Sequence, residues 1–409
     1  MTDRTAVFDL GSWSIKAGHA HSPLSVEADL PPLVTPTRVK VYDLSDGGAV
    51  DALMQGPEEP ASQSQDQGGG GENGRASSPP PRDSAFAGRH FNESAPVENG
   101  VIRDWDQVEA LWHYILYEQL GWEKGNEGSV LISEKVLASS KLQRELTTQL
   151  MFEKFNTSGL YMANQARLSL GSYGKVSGCV VDIGHGEVGV SCVTDGQLQA
   201  PSCERLPFGG KQLTDYFRAA PGIRATAGGA ALTQKQLEDL KHECMEVSSS
   251  SQAYRQEVAA GERRAHILPD GTMVSIGAEA KEAGEILFQP QAFGFACMNI
   301  VDMIHASISW TSDLPVKKML SESLLVVGCG SATRGLEQRL LSDCRLAFPP
   351  SFAPSLLRRP EYMPQTCPMY SAWVGGFIEA KLAFPQNQHI TKYDYDEYGP
   401  NIIHKKAFL

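Results

Sequence analysis

The chain has 409 residues, 41% hydrophobic and 21% charged, and carries a formal net charge of −12. That length accommodates about two or three ordinary domains with sizeable cores, and no apolar run approaches the roughly 20 residues needed to span a bilayer, so a soluble protein without membrane contact is expected. The acidic balance argues against direct, sequence-specific or non-specific gripping of nucleic acid, which needs Lys and Arg to displace counterions.

In chain order, the start (Met1 to Asp9) lacks an apolar signal region, and the eight cysteines sit singly without C-x-x-C spacing, which predicts a reducing compartment. Val7-Phe-Asp9-Leu-Gly11-Ser12 reads as a strand, an acid and a glycine turn. Between Asp43 and Ser94, Gly, Ser, Pro, Gln and acids crowd together, a composition that predicts a disordered surface insertion. From Pro96 the pattern is globular. Val108 to Tyr117 has helical apolar spacing, Ser129 to Ser133 reads as a short buried strand, and Lys141 to Phe155 as an amphipathic helix. Ser177 to Thr194 predicts two strands joined by a tight turn, and its Val180-Val-Asp182-Ile-Gly184-His185-Gly186 repeats the first strand–acid–glycine pattern. A strand at Leu324 to Val327 and a helix at Gly335 to Leu341 follow. Strands feeding helices twice over indicate a two-lobed α/β architecture.

The duplicated turns carry the chemistry. Glycine-containing turns of this kind align backbone N–H groups on an anion and let the backbone approach it closely. A carboxylate at the strand end suits a hydrated Mg²⁺, which prefers oxygen ligands. Either turn alone is more often an ordinary hairpin; two in one chain point to a phosphate clamp.

Together with Pro96-Val-Glu-Asn-Gly100, Gln149-Leu-Met-Phe-Glu153, Gln165-Ala-Arg-Leu-Ser-Leu170, Leu268-Pro-Asp-Gly271, Tyr370-Ser-Ala-Trp-Val-Gly-Gly376 and the tail from Tyr395, these segments resemble the actin family over nearly the whole chain apart from Asp43 to Ser94. Gly121-Trp-Glu-Lys-Gly-Asn-Glu-Gly128, His185 in the second turn, Pro360-Glu-Tyr-Met-Pro364 and Phe384-Pro-Gln-Asn-Gln-His389 resemble, within it, the plant nuclear actin-related proteins. The resemblance implies an actin/Hsp70-like fold with a nucleotide cleft between lobes. It assigns 1–32, 96–172 and 371–409 to a first lobe, 33–95 to a reduced small subdomain, 173–208 and 296–370 to a second lobe, and 209–295 to a further subdomain.

The resemblance also implies ATP or ADP with Mg²⁺. Gly11, Ser12, Trp13, Lys16, Gly184, His185 and Gly186 would contact phosphates, and Asp9 and Asp182 would hold the metal through water. Lys241, His242, Gly328, Gly330 and Ser331 would lie at base and ribose, and Gln165 would position a water. Departures weaken catalysis: His185 stands where the family has an acid, Gly189 where it has a water-organising histidine, and Met369 where it has a lysine. Near the ribose, His242 replaces an acid and Glu238 an arginine. Gln165 cannot accept a proton at neutral pH, so binding without appreciable hydrolysis is expected, and the chain is read as no enzyme, with at most a weak residual ATPase.

For function, the resemblance implies a non-polymerising structural subunit of an ATP-dependent chromatin-remodelling complex of the SWI/SNF type, located in the nucleus with a cytoplasmic share allowed. Its partners would be a helix of the remodelling ATPase and actin or another nuclear actin-related protein, with chromatin reached indirectly. A docking groove would use Tyr173, Tyr370, Trp373, Ile402 and Phe408. Two alternatives stand beside it: a cytoskeletal filament, which the 43–94 segment disfavours because it lies where the polymerisation loop would be, and a small-molecule kinase, for which no segment supplies a recognisable acceptor site.

Overall fold

A computed structural model describes residues 4–20, 31, 33–42, 52–53, 91–135, 137, 139–226, 232–361 and 363–406. Two sheets built to one plan organise it. In the first, Ala6–Leu10 pairs antiparallel with Ser14–His19 on one side and parallel with Ser129–Glu134 on the other. Gly159–Asn164, Ile390–Thr391 and Leu33–Pro36 complete six strands. In the second, Gly178–Ile183 pairs antiparallel with Val188–Thr194 and parallel with Leu324–Val327. The duplication read from the two acid–glycine turns is thus a duplication of sheet topology.

Burial follows the residue pattern. All six residues of Ser129–Glu134 are buried, as expected for a central parallel strand covered on both faces. Helix Trp105–His113, capped by the Asp104 carboxylate on the Gln107 N–H, brings Val108, Leu111 and Trp112 onto the first sheet. Helix Lys141–Gln149, capped by the Ser140 hydroxyl on the Gln143 N–H, buries Thr147 and Thr148. Each continues into a wider π turn, Tyr114–Gln119 and Leu150–Lys154, so the two expected helices are present but change pitch before they end. Burying aromatics such as Trp112, Phe152 and Phe155 stabilises this lobe by about 1.5–3 kcal/mol each.

The chain crosses between lobes twice, side by side. Helix Gln165–Ser172 leaves the first sheet for the second, and helix Cys367–Ala383 returns. They pack so closely that a Cβ on Gly375 would overlap the Leu168 carbonyl. The Ser371 hydroxyl donates to that of Ser169 at 3.0 Å, and the Trp373 indole donates to the Val7 carbonyl at 3.3 Å.

Three sequence expectations need correction. Leu33–Pro36 is a strand of the first-lobe sheet, paired with Ser14–Ala17, so that lobe extends past residue 32. At the edges of the 43–94 segment, Ala52–Leu53 and Phe91–Ser94 are strands pairing antiparallel with Val39–Tyr42, backbone pairing that composition does not reveal; the rest of the segment lies outside the described residues. The third concerns the groove. Trp373 and Ile402 are 1% and 3% exposed and fill cores instead of lining a surface, whereas Tyr173, 7% exposed, keeps an edge on a cavity of about 700 Å³ shared with Ser331 and Leu356. Tyr370 faces the central cavity, and Phe408 lies outside the described residues.

Candidate functional site

Both glycine turns meet at the bottom of the cleft, and neighbouring segments fix their peptide planes. The carbonyls of Gly11 and Trp13 accept from Thr37, through Oγ1 at 2.7 Å and N–H at 2.8 Å. Those of Gly184 and His185 accept from the N–H groups of Gly210 at 3.0 Å and Lys211 at 2.8 Å. A trans peptide points its N–H opposite to its carbonyl, so the amides of Ser12, Ser14, His185 and Gly186 face away from these partners. Gly11, Ser12, Trp13, Lys16, Gly184, His185, Gly186 and Gly328 line one small cavity of about 70 Å³ with Asp9, Asp182 and Gln165. The sequence-predicted phosphate residues are therefore brought together. Glycine is required at 328, where φ is +86° and a Cβ would lie 2.5 Å from Asp182 Oδ1.

Above it opens a larger cavity of about 420 Å³, lined by Trp13, His185, Glu238, Lys241, His242, Gly330, Met369 and Tyr370 among others. Its size and apolar walls suit a purine nucleoside. Lys241 is buried, and its amine donates to Gly210 O at 3.0 Å, Thr214 Oγ1 at 2.8 Å and Glu238 Oε2 at 2.5 Å. With all three N–H donors engaged, it organises the wall. Glu238, one helical turn before His242, lines the same cavity, with its two oxygens accepting from Lys241, Thr214 and Gln234. Burial works against its charge, but Lys241 and Thr214 hold its pKa below the ordinary value. Ser331 is a correction: its hydroxyl donates to the Gly328 carbonyl at 2.7 Å and it faces a separate cavity behind the glycine turn, because the turn winds into a 3-10 segment.

His185 faces the opposite lobe. Its ring lies 4.7 Å from the Trp13 ring, tilted by 41°, and the Arg38 guanidinium sits 4.8 Å over the other ring of this pair, Trp13. Burial, with Lys241, Arg38 and Lys211 nearby and only Glu238 opposing, lowers the His185 pKa to about 4. The imidazole is neutral at physiological pH.

The carboxylates assigned to a metal are engaged with amines. Asp9 accepts from Ser133 Oγ at 2.6 Å and Gln165 Nε2 at 2.7 Å, and its Oδ2 lies 3.4 Å from Lys16 Nζ. Gln165 also donates to Ser133, which fixes it as part of the strand-end network. Asp182 Oδ2 lies 3.4 Å from Lys135 Nζ, which is also 3.6 Å from Glu187 Oε1. Among the described residues, no group of three or more His, Cys, Asp or Glu is arranged to hold a metal ion. The nucleotide fits this cavity; the divalent ion does not fit carboxylates so engaged. Gly189 lies opposite Asp182 in the hairpin and brings no side chain to the site.

Sequence reasoning missed Lys135, Glu187 and Arg205. A signal for the first was present: Lys135 follows the strand whose Ser133 pairs in register with Asp9, and the residues just past such strand ends converge on a cleft.

The actin family model matches residues 2–221 and 230–408. Over 313 residues the chain is 42% identical to actin-related protein 7 of Arabidopsis thaliana, covering 76% of this chain and 85% of the relative. It is 40% identical over 313 residues to actin-related protein 7 of Oryza sativa subsp. japonica, covering 76% and 86%.

Proposed function

Because the chain belongs to the actin family, we propose that it is a nuclear actin-related subunit of an ATP-dependent chromatin-remodelling complex of the SWI/SNF type, holding ATP or ADP as a structural wedge between its lobes without appreciable turnover. The observation that carries the nucleotide part is the convergence of both glycine turns, with amides directed by Thr37, Gly210 and Lys211, beneath a cavity of nucleoside size. Weak hydrolysis follows from the same cleft. Gly189 offers no side chain to organise water, and Gln165 is tied to Asp9 and Ser133.

The assembly part rests on likeness to the actin-related relatives. Partners are a helix of the remodelling ATPase and actin or a second actin-related protein, with chromatin reached through them. Of the residues expected in the docking groove, Trp373 and Ile402 are buried in cores, while Tyr173 and Tyr370 line cavities that a partner segment could reach.

Purification of the tagged chain from nuclei tests the reading, combined with phosphate release by the purified protein. Co-purification with a remodelling ATPase in near-equal amounts is expected. Filaments that sediment at micromolar concentration, or hydrolysis at an ordinary enzymatic rate of about 1 s⁻¹ or faster, would overturn it.

A further inference from the structure

Asp9 and Asp182 occupy equivalent places in the two repeats but receive their cations differently. In the first hairpin the residue directly across from Asp9 is Lys16, whose ammonium is 3.4 Å from the carboxylate. In the second hairpin the residue across from Asp182 is Gly189, which can supply no charge. The missing cation comes from the other lobe. Lys135, one residue past the strand Ser129–Glu134, reaches across the cleft to Asp182 and Glu187.

This arrangement is built into the interior. The side chains of Lys135 and Glu187 are 12% and 5% exposed, and Arg205 closes the network 3.4 Å from the second Glu187 oxygen. Two carboxylates facing an incoming polyphosphate repel it unless a cation stands between them. Mg²⁺ ordinarily does so, with several waters that need room. An ammonium is a compact charge with three donors that delivers the same compensation without them. A divalent ion at Asp182 would have to displace Lys135 and leave Glu187 short of its nearest amine, with a like charge a few ångströms away. Both lysines line the small cavity beneath the nucleoside space.

We propose that Lys135 is the built-in counter-ion of this cleft, tying the lobes together through Asp182 in the place of a divalent metal, so that the site takes a nucleoside di- or triphosphate without Mg²⁺. The inference rests on the nucleotide reading given above, and deepens it by naming the metal-free polyphosphate as the ligand form.

The test is titration of a fluorescent ATP analogue into the full-length protein, once in EDTA and once in excess Mg²⁺. The two dissociation constants should agree within about twofold for the wild type, whereas Lys135→Met should lose about tenfold or more in EDTA and regain it with Mg²⁺. The double variant Lys135→Met/Glu187→Gln removes the carboxylate stranded by the single change, and serves if that variant does not fold. Wild-type binding that falls about tenfold in EDTA overturns the inference alone. So does a folded Lys135 variant that stays indifferent to Mg²⁺. Absence of wild-type binding in both buffers overturns the nucleotide reading, and the inference with it.

Discussion

His185 makes the cleft sensitive to acid, and the size of the effect follows from its surroundings. Burial and the nearby Lys241, Arg38 and Lys211 lower its pKa to about 4, whereas in an unfolded chain a histidine titrates near 6.5. As pH falls, the unfolded chain takes up this proton first. The stabilisation is therefore complete above about pH 6.5 and is lost as pH falls toward about 4. Integrating between about pH 7.5 and pH 5, His185 alone should remove about 2 kcal/mol of stability. His185→Gln keeps a planar polar side chain that does not titrate in this range. Urea unfolding of both proteins at the two pH values isolates the contribution, since carboxylates elsewhere titrate alike in each. The wild type should lose about 2 kcal/mol more than the variant. Equal losses, or a ring that titrates near 6.5 by NMR in the folded protein, would refute the placement of this imidazole against Trp13 and the cationic wall.

Two further substitutions test the interior. Arg339, 1% exposed, grips the fully buried Glu285 through both terminal nitrogens at 3.1 Å, so Arg339→Met should cost about 3–5 kcal/mol in urea unfolding by stranding that carboxylate. Adding Glu285→Leu should recover most of the loss; a single variant within about 0.5 kcal/mol of wild type would contradict the pairing. Gly375→Ala must push helix Cys367–Ala383 off the Leu168 carbonyl, and should destabilise by about 1–3 kcal/mol, while an unchanged melting temperature would show the two helices to be less closely packed.

The parts of this fold that the sequence exposed are those governed by local pattern. A continuous apolar run marked Ser129 to Ser133 as a buried strand, and an acid followed by glycine marked each turn of the clamp. The wide turns at Tyr114–Gln119 and Leu150–Lys154 escaped notice because a single pitch change hardly alters apolar spacing. Ser331 was assigned to the wrong cavity because the direction in which a chain leaves a glycine at φ +86° has no signature in residue type. Trp373 and Ile402 looked like surface aromatic and aliphatic candidates because spacing does not tell which layer covers them. Lys135 was overlooked for another reason: its partners lie 47 and 52 residues further along the chain, and only the pairing of two sheets brings them near it.

The paired crossings at Gln165–Ser172 and Cys367–Ala383 act as a fulcrum. Bodies joined along one narrow seam keep a single easy motion, rotation about that seam, and the close seating of Gly375 on Leu168 leaves little play in any other direction. Lever arithmetic then applies: a small displacement near the seam becomes a larger one at the distant rim. A change in the spacing of the turns at the bottom of the cleft would therefore displace most the surfaces farthest from the seam.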